Sequence, residues 1–135
     1  MIFDAPGKYC SRRLFEWTMA FAMFGFGLHI LLMPGTFSSS RYSAVLLLLT
    51  VSQFAAACVV VAAVRIVALA KNGQWPHFGP CIRSIAAIFA AVIWLQLAVA
   101  LGQGTPSPGM WIYVALTGAE IVSVVRARRD GHGAG

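Results

Sequence analysis

The sequence predicts an all-α fold, a four-helix bundle in which two antiparallel hairpins cross a membrane. Hydrophobic residues make up 59% of the 135 residues, and charged residues make up only 10%. The hydrophobic residues are gathered in four long runs, with most basic residues between the runs. A soluble domain of this size leaves too much of its surface in water to carry such a composition. A lipid bilayer is therefore the predicted solvent, and residues 1–135 are predicted to form a single membrane domain.

Each run is long enough to cross the hydrocarbon core, which needs about 20 apolar residues at about 1.5 Å per residue. The first run ends at Pro34-Gly35, a turn pair that cannot continue a helix. The second is closed by residues 71–73, in which Gly73 is a natural C-terminal cap. The third follows Pro80, and the fourth, the shortest, follows the break at residues 105–109. The predicted spans are approximately residues 14–33, 44–70, 82–101 and 109–125.

The basic residues predict the orientation, because short cytoplasmic segments collect Lys and Arg. Of the ten basic residues, Arg41 alone falls in a predicted outer loop. The other nine are Lys8, Arg12, Arg13, Arg65, Lys71, Arg83, Arg126, Arg128 and Arg129. They form no stripe with interleaved aromatic residues, so the net charge of +6 indicates topology rather than nucleic-acid binding. We predict a multi-pass protein of a bacterial inner membrane with both termini in the cytoplasm.

The aromatic residues agree with this orientation. Trp17 and Trp75 lie near the predicted inner interface, and Trp111 and Tyr113 lie near the outer one. Amphipathic aromatic rings prefer such interfaces. Trp94 lies near the middle of the third span, where we expect it to pack in the core.

A basic segment before an apolar run is also typical of a cleaved signal peptide. Here the first apolar run is longer than a signal core, and residues 34–40 offer no clear cleavage site between small residues. We therefore predict that the first span is retained. The three cysteines, Cys10, Cys58 and Cys81, are spread without the pattern of a disulfide framework, so we predict free thiols.

Ionisable residues within spans are the candidates for chemistry, because a charge in hydrocarbon is costly. The rise per residue places Glu16, Arg65 and Arg83 near the inner interface and Glu120 about 10 Å deep. One interpretation is a layer of salt bridges between helices. The other makes Glu120 a proton- or cation-binding carboxylate, as in small multidrug transporters. Those transporters carry their key acid well inside the first span, whereas Glu16 lies at a span edge.

Three polar residues, His29, Gln53 and Gln96, are predicted at similar depths in the outer half. Imidazoles and amides there form hydrogen bonds between helices, each contributing about 1 kcal/mol, so we expect them to join helices rather than to line a pore. Pairs of alanines four residues apart favour close helix approach. These pairs are Ala86 with Ala90, Ala87 with Ala91, and Ala115 with Ala119.

The sequence carries no Gly-x-Ser-x-Gly elbow, Walker loop, His-Glu-x-x-His or Cys-x-x-Cys motif. We therefore predict a protein that is not an enzyme and has no cofactor. His77 and Cys81 are four residues apart, but no second ligand pair accompanies them, and structural zinc needs four ligands. No metal site is predicted.

Four segments follow one another along the chain: RLFEW at 13–17, LLMPGTFS at 31–38, the stretch from Arg65 through KNGQW at 71–75, and RARRD at 126–130. In this order they resemble the small four-span membrane proteins of tailed bacteriophages and prophages. The resemblance covers most of the chain, and it implies a phage-associated setting.

In such a setting the function that we predict is that of a holin-like protein, which accumulates in the inner membrane, oligomerises and opens lesions. Small size, several spans and a charged tail agree with this function. One alternative is a small transporter or channel that uses Glu120. Another is an accessory or exclusion protein that binds a second membrane protein through its helix faces. The expected partners are the lipid bilayer and either further copies of the chain or other membrane proteins.

Overall fold

The computed structural model describes residues 6–37, 42, 45, 49–71, 74, 78–103 and 107–132, with side chains described from residue 13 to residue 131. These residues form four α-helices: α1 (Pro6–Leu32), α2 (Val51–Ala70), α3 (Phe78–Gly102) and α4 (Pro108–His132). A short 3-10 helix, Pro34–Phe37, follows α1. The described residues include no strand, so the predicted all-α class is confirmed for this part of the chain.

The four described helices are each long and apolar enough to span a membrane. Three of them extend beyond the predicted spans. Helix α1 begins at Pro6 and not near residue 14. Helix α3 begins at Phe78 and includes Pro80 in its first turn, where a missing N–H breaks no helical hydrogen bond. Helix α4 continues to His132 instead of ending near residue 125, so Glu120 lies at the midpoint of the helix.

Helix α2 begins at Val51 and not near residue 44, because Thr50 caps it. The Thr50 side chain accepts a hydrogen bond from the Gln53 backbone N–H at 3.3 Å. The Gln53 side chain accepts one from the Thr50 backbone N–H at 3.0 Å. This reciprocal pair is a capping box, which satisfies two free backbone donors at the start of a helix. At the other end the cap is Lys71, whose N–H bonds to Val67 at 2.9 Å; the predicted cap Gly73 lies outside the described residues.

Helix α1 packs along α2, α3 packs along α4, and the contact between α2 and α3 joins these two pairs. Within the second pair, Gly102 lies beside Met110 and Gly131 lies beside Pro80, so α3 and α4 are antiparallel. The direct contact between α1 and α4 is thin. The beginnings of α1 and α3 and the ends of α2 and α4 are gathered at one end of the bundle, which we call the charged end.

Gly27 lies where α1 approaches α2 closely. A Cβ atom at this position would lie 2.8 Å from the Cβ of Cys58 and 3.0 Å from the carbonyl oxygen of Ala55. Real side chains do not tolerate the first of these distances, so the absence of a side chain at Gly27 lets the two backbones meet. Small residues at helix crossings act in this way in membrane bundles.

The core is built around aromatic rings. Trp94 is 2% exposed, as its predicted core position requires, and its ring packs against Phe26 and Tyr113 with centroid distances of 5.3 and 5.7 Å. Phe37 stacks on Phe54 at 5.3 Å and closes the opposite end of the bundle from the charged end. The outer faces of the helices are covered with exposed large apolar side chains, among them Leu32, Phe78 and Trp111.

Candidate functional site: two buried ion pairs

The four ionisable residues singled out in the sequence form two ion pairs inside the bundle. Arg65 of α2 pairs with Glu120 of α4, and Arg83 of α3 pairs with Glu16 of α1. Each of these four side chains is at most 3% exposed. Charges buried to this degree must be paired, since an isolated ion in a poor solvent is strongly unfavourable. The predicted salt-bridge layer is therefore present, as two separate connections between helices.

Arg83 is held on three sides. Its Nε and Nη2 atoms donate to the two oxygens of Glu16 at 2.9 and 2.6 Å, which is the bidentate geometry that guanidinium and carboxylate groups favour. Its Nη1 atom donates to Asp130 of α4 at 3.1 Å. Helices α1, α3 and α4 thus meet at one guanidinium, although α1 and α4 touch each other very little directly.

Asp130 is a site residue that the sequence reasoning missed. The fourth span was predicted to end near residue 125, which placed Asp130 in a solvated tail. Because α4 continues to His132, the Asp130 carboxylate reaches Arg83 while 47% of its side chain stays exposed. A signal was available in the sequence: the chain has only four acidic residues, and one of them stands directly after Arg128 and Arg129.

The hydrogen-bond geometry of the Arg65–Glu120 pair differs from that of the Arg83–Glu16 pair. One nitrogen, Nη1, donates to both carboxylate oxygens, at 2.7 and 2.5 Å. The Nε and Nη2 atoms form the edge that would bind a second acceptor side by side. Both are buried, and neither has a hydrogen-bond partner among the described residues.

The indole N–H of Trp94 lies in the same environment. Its Nε1 atom is buried and has no hydrogen-bond partner within the described part of the chain. Buried donors are normally satisfied. The Arg65–Glu120 pair and Trp94 therefore leave three buried donor atoms without a partner among the described residues.

The three polar residues predicted in the outer half do not join helices as expected. His29, Gln53 and Gln96 are all exposed on the surface of the bundle. Gln53 caps its own helix instead of joining two helices. In the described residues neither His29 nor Gln96 has a side-chain hydrogen bond. The rise per residue gave their depths along the helices, but it did not give the direction in which each side chain points.

The small residues and the cysteines follow the predictions in part. Ala86, Ala87 and Ala90 are buried, whereas Ala115 is exposed on α4. Cys58 is buried and Cys81 exposed, and both are free thiols as predicted. The side chain of Cys10 and the residues Trp75 and His77 lie outside the described part. In that part no group of three or more His, Cys, Asp or Glu residues is placed to hold a metal ion.

Comparisons with protein-family models, with curated proteins and with solved structures find no match to this chain.

The arrangement has a definite chemical character. Glu16 and Glu120 each accept hydrogen bonds from a guanidinium that is always charged, so both carboxylates are held as acceptors in the observed geometry. A single copy thus presents a closed interior at the level of these pairs. Any role for Glu120 in moving an ion requires the bond to Arg65 to open.

Proposed function

We propose that this chain is an integral protein of a bacterial inner membrane, with four spans and both termini in the cytoplasm. Two observations support it. The outer faces are apolar along helices that are long enough to cross a bilayer, and the strongly buried charges are paired inside the bundle. Inward-facing, paired charges with apolar residues outside are what hydrocarbon surroundings demand.

The distribution of the remaining basic residues supports the proposed orientation. Lys71, Arg126 and Arg129 are exposed at the charged end. Arg126 lies 5.3 Å from the ring centroid of Phe15, which places the end of α4 beside the beginning of α1. Basic residues collected at one end of a bundle favour a cytoplasmic position for that end.

Reporter fusions test this topology. A green fluorescent protein fused after Gly135 is expected to fluoresce, and alkaline phosphatase at the same place is expected to be inactive. Alkaline phosphatase inserted at residues 104–106 is expected to be active. The reverse pattern would overturn the orientation, and extraction of the protein by alkaline carbonate would overturn membrane integration itself.

Within this setting we propose a holin-like function, in which copies of the chain associate and open lesions in the membrane. The observation that carries the proposal is the sparse packing of α4. Only 11% of the most apolar 18-residue stretch of α4 is buried within the chain, compared with 50% of the corresponding stretch of α3. Because the interior of one copy is closed at the ion pairs, permeability has to arise between copies, and α4 offers the largest uncovered face.

Inducible expression in a bacterium tests lesion formation. The expected result is an abrupt loss of membrane potential, with lysis when an endolysin is supplied. Unimpaired growth and an intact potential at high expression would contradict the proposal. An endolysin gene next to this gene would agree with it.

Two matched glycine variants test the part assigned to α4. A Cβ atom at Gly118 of α4 or at Gly25 of α1 would meet no described atom within 4 Å, so neither site is packed within one copy. Gly118→Ile is expected to delay lysis by separating associated copies, while Gly25→Ile leaves its timing unchanged. Equal timing in both variants would exclude this face of α4 from the assembly.

A second candidate, a transporter or channel that uses Glu120, is favoured by the unpartnered donors around that carboxylate. Donors without partners allow the Glu120 carboxylate to take other positions. They also allow a hydrogen-bond acceptor that enters the bundle to bind beside Arg65. The test is flux in liposomes. Glu120→Gln is expected to abolish the flux of the fraction that remains folded after reconstitution, and Asp130→Asn, at the exposed rim, is expected to retain it. An unchanged flux in Glu120→Gln would remove this candidate.

A further inference from the structure

The guanidinium of Arg65 has one edge without a partner in the interior of the bundle. Its Nη1 atom donates to both oxygens of Glu120. Its Nε and Nη2 atoms are buried and have no hydrogen-bond partner among the described residues. Arg65 as a whole is 1% exposed, so bulk water does not reach these atoms. A buried donor that stays unpaired costs free energy, and the cost is larger for a charged group. An acceptor that reached this edge would recover that free energy.

The geometry of the unpartnered edge selects the class of acceptor. The Nε–H and Nη2–H bonds of a guanidinium are parallel and fit the two oxygens of one planar carboxylate. Arg83 shows this fit, since its Nε and Nη2 atoms donate to the two oxygens of Glu16 at 2.9 and 2.6 Å. Asp130 is bonded to Arg83 as well. Of the acidic residues that the structure describes, none is left for the edge of Arg65, so this edge is available to the carboxylate of another molecule.

A route to this edge runs between α1 and α4, which have little direct contact. Two contacts close the ends of this seam. The ring centroid of Phe15 lies 5.3 Å from the Cζ atom of Arg126, and the ring centroids of Phe26 and Tyr113 lie 6.2 Å apart. Glu120 follows Tyr113 by seven residues and precedes Arg126 by six. The paired carboxylate therefore lies midway between the two closed ends.

Met19 covers the seam at the level of Glu120. It follows Phe15 by about one helical turn and precedes Phe26 by about two, so these three residues share one face of α1. Met19 is only 5% exposed. A methionine side chain is unbranched and flexible, so it takes up new positions easily. Rotation of Met19 opens the seam in the middle while both ends stay in contact.

We propose that the Arg65–Glu120 pair binds a short monocarboxylic acid, whose carboxylate takes the Nε and Nη2 edge of Arg65. The acid enters through the seam in its neutral form. Its O–H bond breaks, and the proton forms a new O–H bond with a carboxylate oxygen of Glu120. The bound state then contains one guanidinium and one carboxylate, as the empty pair does, so no net charge enters the apolar interior. The proposal rests on the second candidate function, the transporter, and deepens it by naming the class of ligand.

Glu120 takes the proton because two carboxylates that share one dry site do not both stay charged. Four further titratable groups belong to the helices around the pair, namely Glu16 on α1, Cys58 on α2, Arg83 on α3 and Tyr113 on α4. Glu16 and Arg83 are bonded to each other. Cys58 and Tyr113 each stand seven residues from a member of the pair on their own helix, which is about 10 Å. The proton of the entering acid is therefore expected at Glu120.

Titration calorimetry of the full chain in detergent micelles tests the proposal on the unmodified protein. Acetate and butyrate are expected to bind at one site per chain, with uptake of one proton per anion. The number of protons follows from the change of binding enthalpy between buffers of different ionisation enthalpy. Acetamide lacks a carboxylate and malonate brings a second charge, so neither is expected to bind. The lack of saturable binding by every monocarboxylate would overturn the proposal and leave water as the partner of these donors.

Two variants and a matched control locate the site, each titrated only as the folded fraction from size exclusion. Arg65→Lys keeps the charge but loses the edge of two donors, so acetate is expected to bind about tenfold more weakly. Arg83→Lys makes the same change where Glu16 already fills the edge, and it is expected to retain binding. Glu120→Gln is expected to bind acetate without proton uptake. Equal weakening in the two lysine variants, or proton uptake that persists in Glu120→Gln, would overturn the proposal.

The seam is tested by the rate of binding. Isoleucine is branched at Cβ and stiff at χ1, so Met19→Ile is expected to slow the association of butyrate severalfold and leave its affinity within about twofold. An unchanged rate would overturn the route through the seam. Binding in micelles and flux in liposomes are measured separately. Butyrate binding without flux would support this site and remove the transporter candidate, whereas flux without carboxylate binding would remove this site.

Discussion

Arg65 donates to Glu120 through a single nitrogen, Nη1. The Nε and Nη2 atoms of the same guanidinium have no hydrogen-bond partner among the described residues. The neighbouring pair uses that edge fully, with Arg83 bonded to both oxygens of Glu16 and to Asp130. The two pairs therefore differ in how completely their donors are satisfied. The pair at the charged end is a closed network, and the pair at the midpoint of α4 has donors in surplus.

Removing one partner of the Arg65–Glu120 pair is expected to destabilise the bundle strongly. Glu120→Ala leaves the buried Arg65 uncompensated, a situation that costs about 3–5 kcal/mol. The double variant Arg65→Leu with Glu120→Leu removes both charges and retains much of the volume, so it is expected to lose much less. The measurement is the free energy of unfolding in mixed micelles by denaturing-detergent titration. Additive losses in the double variant would contradict this account.

The acidic partners of Arg83 in the described part of the chain, Glu16 and Asp130, are expected to contribute unequally. The Glu16 side chain is 3% exposed and the Asp130 side chain 47% exposed. Water screens the second interaction, so Asp130→Asn is expected to cost about 1 kcal/mol or less. Glu16→Gln is expected to cost several times as much, because it leaves a buried guanidinium without its main counter-ion. The same unfolding titration compares the two, and equal losses would show that exposure does not govern this network.

The α1–α2 crossing predicts a sharp difference between two glycines of one helix. Gly27→Ala places a Cβ atom 2.8 Å from that of Cys58, and such overpacking costs about 1–3 kcal/mol. Gly25→Ala meets nothing within 4 Å among the described atoms. It is expected to be neutral or to stabilise by up to about 1 kcal/mol, since Ala favours helix more than Gly does. Thermal unfolding in detergent distinguishes them, and similar midpoints would argue against the close crossing.

Loss of the cap at the start of α2 is expected to have a moderate effect. Thr50→Ala removes the side-chain acceptor for the Gln53 N–H, and the loss of such a cap costs about 1 kcal/mol. Ser52→Ala is a suitable control, because Ser52 is an exposed hydroxyl residue on the same turn. Hydrogen exchange at the first amides of α2 is expected to accelerate in the first variant only. Unchanged protection would place the beginning of α2 elsewhere.

Several parts of this arrangement were predictable from the sequence because they depend on length, hydropathy and charge alone. Four apolar runs predicted the four described helices. The scarcity of charge within the runs singled out Glu16, Arg65, Arg83 and Glu120, since a buried ion needs a counter-ion. The rise per residue gathered all four toward one end, with Glu120 the deepest, but it did not say which acid meets which base.

The parts that were missed depend on rotation and on local hydrogen bonds. His29 and Gln96 were predicted at a depth that suits hydrogen bonds between helices, yet both side chains point outward. Hydropathy does not fix the angle of a side chain around its helix. The beginning of α2 was placed in an apolar stretch before Thr50, where no hydropathy change marks the cap. Asp130 was missed because α4 continues past the basic residues, which can extend their charged tips toward water from a continuing helix.

The pairing pattern has a consequence for how the chain is made. The paired residues are 67 and 55 positions apart, and each pair joins the α1–α2 half to the α3–α4 half. The first half carries Glu16 and Arg65 and the second carries Arg83 and Glu120, so each half leaves the ribosome with an acid and a base whose partners belong to the other. Expressed as separate polypeptides, the halves are complementary in charge, and recovery of one is expected to depend on the presence of the other.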